Sequence, residues 1–283
     1  MTTRRFVALG DSSTAGVGDR MPDGSWRGWA ALLAAALDAD LVNLADNGAQ
    51  TADVVTRQLP RALAAMPQIA TVVIGVNDTL RSTFDLAMVG GGLEHTVAAL
   101  RRTGAVVLTA RLPDPGRMLG LPAALARPLA RRIRAVNAVA DVVAYRHRTL
   151  HFDAAGHPLT YDRRMWSVDR LHPSERGHRL LAGGFFDLLQ QAGVPVGKPP
   201  DCEPSNPEPT VAAQMRWMAT KGTRWVADRS TDLVPSLLWM AAAEVWCGVR
   251  RTTGKLDVQV EADVARALTV LGEIPDRSWA TSR

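Results

Sequence analysis

The sequence predicts an α/β fold with a parallel sheet covered by helices on both faces, and three observations predict it. Short apolar runs of strand length, RRFVAL, DLVNLA, IATVVIG, AVVLTA and TLHFD, recur between residues 4 and 153. Longer stretches with apolar residues at helical spacing separate them. Strands separated by helices of this length form parallel sheets with both faces covered.

The elements follow in order. RRFVAL reads as a buried strand and ends at GDSSTAG, residues 10–16, a small, flexible, hydroxyl-bearing turn. In SWRGWAALLAAALDA, Trp29, Leu32, Leu33, Ala36 and Leu37 share helical spacing, and Ser25 is the expected cap. DLVNLA precedes a helix from about Thr51, and IATVVIG precedes one over much of Leu86 to Arg102. AVVLTA leads through LPDPG to an arginine-rich helix, about Ala123 to Arg146. TLHFD follows, and PSERGHRLLAGGFFDLLQQAG closes the pattern, with Pro173 at the first helical position and Gly193 at the stop.

This pattern assigns residues 1–193 to one domain, 194–209 to a proline-rich connection and 210–283 to a mainly helical extension rich in tryptophan. Two helices are expected in the extension, near Thr210 to Asp228 and Thr231 to Val249, with Pro235 in the first turn of the second. Trp217, Trp225, Trp239 and Trp246 are expected to pack against the rest of the protein. The remaining tail reads as one more short strand and a helix, and the chain has no internal repeat.

Composition narrows the function classes. Of 283 residues, 47% are hydrophobic and 22% charged, as in ordinary globular proteins. The net charge of +5 is mild for a nucleic-acid binder. The excess lies before Lys198, with 22 basic against 17 acidic residues; from Lys198 onward there are 11 of each and no basic tail. Arg127, Arg131 and Arg134 fall near one helical face, which reads as solvated, so no nucleic-acid partner is expected. Cys202 and Cys247 lack CxxC spacing and read as reduced structural thiols. FVAL is too short for the apolar core of a secretory signal, and no run of about 18 apolar residues occurs. A cytoplasmic location without membrane anchoring is the expectation.

Four blocks carry the chemistry: GDSS at the end of the first strand, NGAQT (47–51) after the second, GVND (75–78) after the third, and DRLHPS (169–174) before the last helix of the α/β pattern. In a parallel sheet these turns share one edge, where open α/β sheets bind ligands. Ser12 suits attack on a carbonyl if a base stands within hydrogen-bond reach, and His172 is the candidate base. Asp169 can reach the other imidazole nitrogen, holding the tautomer and stabilising the imidazolium. The backbone N–H groups of Ser12 and Gly48 and the side-chain amide of Asn77 can serve an oxyanion, Gly48 allowing close approach. Each block alone reads equally as turn or capping chemistry; together they point to acyl transfer. Neither HExxH, GxGxxG nor GxxxxGK[ST] occurs.

The four blocks resemble those of the SGNH, or GDSL-type, hydrolase family, matching at Ser12, Gly48, Asn77 and His172 over about residues 5–193. The resemblance implies a flavodoxin-like three-layer α/β/α sandwich and a triad of Ser12, His172 and Asp169. It also implies an oxyanion hole of Ser12, Gly48 and Asn77, and neither metal nor organic cofactor. GDSS stands where the family's name has leucine, and GVND where many members have a second glycine; both leave the reacting atoms in place. The expected activity is serine esterase or lipase action on a small-molecule ester, with lipids, thioesters and acetylated small molecules all open. The rival reading is a binding or assembly module on a hydrolase fold.

Asp11, Thr14, Arg81, Trp166 and Arg170 are the candidate substrate-binding residues, either arginine suiting an acidic group. His178 is expected on the exposed side of its helix. Past Gly193 the resemblance offers no guide. The extension is expected to cover the site, to pack outside the sheet, or to join copies of the chain in a homo-oligomer.

Overall fold

The computed structural model describes residues 4–205, 210, 212, 215 and 233–273. Five parallel strands, β1 (Arg4–Gly10), β2 (Ala39–Asn43), β3 (Ile69–Val73), β4 (Val106–Arg111) and β5 (Leu150–Asp153), form one sheet in the order β2-β1-β3-β4-β5. This is the flavodoxin-like order, and it reverses direction between β1 and β3, where open sheets bind ligands. Phe6 pairs with Leu41 on one side and Ile69 on the other. Residues Phe6 to Leu9 of this inner strand are fully enclosed, so the run is apolar throughout rather than alternating.

Helices cover both faces. α2 (Gly28–Ala36) and α9 (Glu175–Gln191) lie together on one, with the Trp29 and Phe185 rings 5.0 Å apart. The other face carries α3 (Thr51–Asp53), α4 (Leu59–Ala64), α6 (Leu86–Arg102) and α8 (Ala123–His147). β5 displays the two faces in successive residues: His151 reaches Asp141 of α8, while the Phe152 ring meets Phe185 of α9. Three short helices, α1 (Ser12–Ala15), α5 (Val76–Thr79) and α7 (Pro115–Leu119), follow β1, β3 and β4.

Local chemistry differs from expectation at several ends. α2 begins at Gly28, not at the Ser25 cap, because Ser25 is turned to Asp23. Asp19 takes the capping duty, accepting the Gly28 N–H at 3.1 Å and Arg27 Nε at 2.9 Å. Pro173 precedes the α9 N-cap rather than opening the helix, and the Ser174 hydroxyl accepts the Gly177 N–H. A π-helical turn, Val54–Gln58, joins α3 to α4. Pro60 explains its position, since a proline there has no N–H to give to the carbonyl of Thr56 and crowds it. His178 is fully buried: it accepts the Trp29 N–H through Nδ1 and donates Nε2–H to Val17 O. Burial pushes its pKa down to about 4, so the ring is neutral.

The connection after α9 runs along the surface. Gly197 N–H donates to Ala36 O, Arg4 to Pro195 O, and Ser205 to Glu175. Among the described residues two helices follow: α10 (Leu233–Val249), with Pro235 in its first turn, lies on the outside of α8, and α11 (Gly254–Glu273) on the outside of α6 and α8. The described residues of the tail contain no strand, and KLDVQV, residues 255–260, is helical within α11. The expected helix over 210–228, with Trp217 and Trp225, lies outside the described residues except at three positions. Trp239 and Trp246 are 74% and 59% exposed rather than packed. Leu237 and Met240 instead meet Leu80 and Leu129, and Ala267 and Leu271 join the main core. Cys202 and Cys247 are free thiols. No helix among the described residues is long and apolar enough to cross a membrane.

Arg127 and Arg134 of α8 are exposed as expected, but Arg131 between them is not. Arg131 is buried at 8% exposure, with its guanidinium on Glu244 of α10 and its Nε 2.8 Å from Asp257 of α11. Arg127 and Arg134 flank it with longer pairings to the same two carboxylates. A buried pair holds best when both partners are present, since removing one strands a charge. Arg131→Ala and Glu244→Ala are therefore each expected to cost about 3–5 kcal/mol in denaturant unfolding, and Arg131→Met with Glu244→Leu together much less than either alone. Equal losses in all three variants would show that packing area, not charge pairing, holds the extension.

Candidate active site

Four loops at the carboxyl edge of the sheet meet in one place. β1 ends at Gly10, where a Cβ would strike the Thr14 side chain and the Val73 carbonyl, so the chain passes β3 only as glycine. Asp11 caps α1, its carboxylate accepting the Ser13 N–H at 2.9 Å, and Ser12 is the first helical residue. Gln58, aimed inward from the π-turn, holds this turn from behind. Its amide accepts the Gly10 N–H and donates to Gly10 O, both at 2.9 Å, in a fully buried pairing.

The loop after β2 brings Gly48 to the same edge in a left-handed conformation, φ +76°, that favours glycine. α5 ties this loop down. The Asp78 carboxylate accepts the Thr51 N–H, and Asn77 Nδ2 donates to Ala49 O at 3.0 Å. The second Asn77 N–H faces Asp11 Oδ2 at 3.5 Å, a long and weak contact that a better acceptor can displace. Burial raises the Asp78 pKa.

The loop before α9 brings the last pair. His172 Nε2 stands 2.8 Å from Ser12 Oγ, and His172 Nδ1 stands 2.7 Å from Asp169 Oδ2. Asp169 also accepts the Leu171 and His172 N–H groups and the Ser167 hydroxyl, at 2.7–3.0 Å. Burial works to raise its pKa, but the hydrogen bond and charge of His172 and the two backbone donors outweigh it and hold the carboxyl at about 2. Beside an ionised Asp169, the imidazole tautomer with its proton on Nδ1 leaves Nε2 to accept the Ser12 O–H. A hydroxyl, a neutral imidazole and a carboxylate so aligned can pass a proton from oxygen to nitrogen as the hydroxyl attacks.

Ser12, Gly48, Asn77 and His172 line one cavity of about 310 Å³, together with Asp11, Arg81 and Trp166. Two expected substrate residues do not reach it. Thr14 is fully buried beneath Gly10, because α1 turns its side chain under the sheet edge. Arg170, in a left-handed turn at φ +56°, directs its guanidinium towards Gly120 instead. His178 is enclosed rather than exposed. Sequence reasoning missed the holding roles of Gln58 and Asp78; each sits among other polar residues, Gln58 after Thr56 and Arg57 and Asp78 between Asn77 and Thr79, so nothing local marks it. It also missed the apolar lining from Ala110, Leu112, Met118, Leu180 and Leu181, which reads in sequence as ordinary core.

Asp11 is a carboxyl retained at a cost. Burial, helped by the charge of Asp78, raises its pKa to about 6 against the hydrogen bonds and the His172 charge that lower it. The folded state thus binds the proton more tightly than the unfolded chain. The neutral carboxyl is well accommodated below about pH 4, and the stability is lost as pH rises through 6, by about 3 kcal/mol. Asparagine caps equally well and does not ionise. Asp11→Asn is expected to match the wild type in urea unfolding at pH 4 and to exceed it by up to about 3 kcal/mol at pH 8. The same difference at both pH values would show that ionisation of Asp11 is not what costs stability.

Comparison with known proteins adds the family. A comparison with curated protein sequences finds no match. Among solved structures the chain is similar to LAE5, an alpha/beta hydrolase enzyme from the metagenome of Lake Arreo, Spain, with 22% identity and a TM-score of 0.53 over 68% of this chain and 97% of that one. It is similar to Axe2, an acetylxylan esterase from Geobacillus stearothermophilus, with 20% identity and a TM-score of 0.53 over 66% and 94%. A third is a lipase/acylhydrolase from Enterococcus faecalis, with 21% identity and a TM-score of 0.52 over 70% and 99%. At these identities the likeness is one of fold. The model of the GDSL-like Lipase/Acylhydrolase family matches residues 8–180, so the four strand-edge loops fall within the match, and the chain belongs to that family of ester-bond hydrolases.

Proposed function

We propose that the protein is a serine acyl hydrolase that cleaves carboxylic esters through an acyl-enzyme on Ser12. The observation that carries this reading is the aligned chain Ser12 Oγ, His172, Asp169, with steps of 2.8 and 2.7 Å. Ser12 Oγ attacks the ester carbonyl as His172 Nε2 takes its proton, and the ionised Asp169 stabilises the imidazolium. The tetrahedral oxyanion is received by the N–H groups of Ser12 and Gly48 and by Asn77 Nδ2, which exchanges its long contact with Asp11 for the stronger new acceptor. His172 then gives the proton to the departing alkoxide. Water, deprotonated by the same nitrogen, attacks the acyl-enzyme, the acid leaves, and Ser12 regains its proton.

Ser12→Ala is expected to abolish both p-nitrophenyl ester hydrolysis and labelling by a fluorophosphonate, while circular dichroism and melting stay those of the wild type. Undiminished hydrolysis by that variant would remove Ser12 from the mechanism. Asn77→Ala is expected to lower kcat by about 10²–10³-fold with little change in KM, the pattern of a donor used in the transition state. A change confined to KM would assign Asn77 to ground-state binding instead.

A further inference from the structure

The cavity at Ser12 is uneven in its chemistry. Ser13 and Asn47, from α1 and the loop after β2, give it one polar side, and Asn47 is exposed at the mouth. The opposite side is built by Val73 and Ala110 at the ends of β3 and β4, Leu112 beyond β4, and Leu180 and Leu181 of α9. Two of the polar side chains on that side already donate to backbone carbonyls, the Thr160 hydroxyl to Ala154 O and Trp166 Nε1 to Thr160 O at 2.7 Å. Arg111 pairs with Asp141 and Asp153, at 3.3 and 3.5 Å. A sugar or other polyol laid along Val73, Ala110, Leu112 and the α9 leucines would give up hydrogen bonds to water that these side chains do not replace, whereas an alkyl chain loses nothing.

The volume bears on the same question. The site opens to solvent at its mouth, and clefts of about 300–1,000 Å³ are the size in which ligands are taken up. At about 310 Å³ this one offers far more room than an acetyl group occupies.

From this asymmetry we infer that the site takes esters of medium-length straight-chain fatty acids, of about six to eight carbons. The alkyl chain lies along Ala110, Leu112 and the α9 leucines, and the leaving alcohol lies at the polar mouth beside Asn47. The inference rests on the serine hydrolase reading and adds the acyl class to it. Ala110 sets the room available: with Ala154 it is the smallest side chain lining the cavity, and it sits one residue before the end of β4.

The test is kcat/KM on p-nitrophenyl esters from acetate to laurate, with fluorophosphonate labelling in parallel, for the wild type, Ala110→Leu and Leu181→Phe. In the wild type, kcat/KM is expected to rise about fourfold for each methylene that enters the cavity and to level off near hexanoate to octanoate. Either substitution is expected to lower the octanoate-to-acetate ratio at least tenfold; Leu181→Phe carries the test if Ala110→Leu does not fold. A wild type that labels but prefers acetate over every longer chain would overturn the inference and leave the hydrolase reading standing. Unchanged ratios in both folded variants would likewise overturn it, since the chain would then lie elsewhere. Absence of both labelling and turnover would instead overturn the serine hydrolase reading, and the acyl site with it.

Discussion

Parallel strands all point the same way, so a sheet made only of them delivers every strand-to-helix turn to one edge. In this chain that constraint brings Gly10 to Ser12, Gly48 and Asn77, which lie far apart in sequence, to the ends of neighbouring strands. Asp169 and His172 arrive from the loop before α9, whose helix packs on the opposite side of the same edge. The connections cannot be shortened to hairpins, because each return needs a crossover of helical length. The layers of helix are thus a consequence of the strand direction, and the cavity between them is a consequence of the layers.

A parallel sheet places the turns but does not hold them to within a few tenths of an ångström. Buried polar groups do that. Gln58 pairs with both backbone groups of Gly10, Asp78 holds the Thr51 amide, and Asn77 straps its own loop to Ala49. Asp169 collects four donors, which keeps it ionised despite its burial. On the far side, His178 links α9 to Val17 and Trp29, and Glu175 receives Arg27, Arg179 and Ser205. Each such group costs desolvation and repays it only when its partners are fixed. That makes the network a positioning device as much as a source of stability, and Asp11, held at a cost beside Ser12, belongs to it.

The helices after the connection serve the other side of the molecule. α10 rests on α8 and α11 on α6 and α8, and no described residue of theirs lines the cavity at Ser12. Their attachment combines an apolar seam, from Leu237 and Met240 to Ala267 and Leu271, with the buried charges of Arg131 and Glu244. Ion pairing of this kind fixes register where an apolar seam alone permits sliding.

Much of the architecture was legible without coordinates, for a physical reason. Strand identity depends on short apolar runs, crossover on the distance between them, and the reacting edge on the residues that end each run; all three are local properties of the chain. Ser12, Gly48 and Asn77 could be named because each lies in a turn that ends an apolar run, and Asp169 and His172 because their turn opens the last helix of the pattern. What sequence could not supply was which side chain a neighbour from a distant segment would enclose. His178 and Arg131 read as exposed because helical periodicity does not say what lies against a face; α2 encloses the first, and α10 the second. Thr14 and Arg170 sit beside site residues in sequence, yet backbone direction turns both away. The sequence by itself therefore determined the fold class and which turns gather at one sheet edge. Only the tertiary structure decided the shape and polarity of the cavity, because that depends on which apolar side chains are left facing a gap instead of one another.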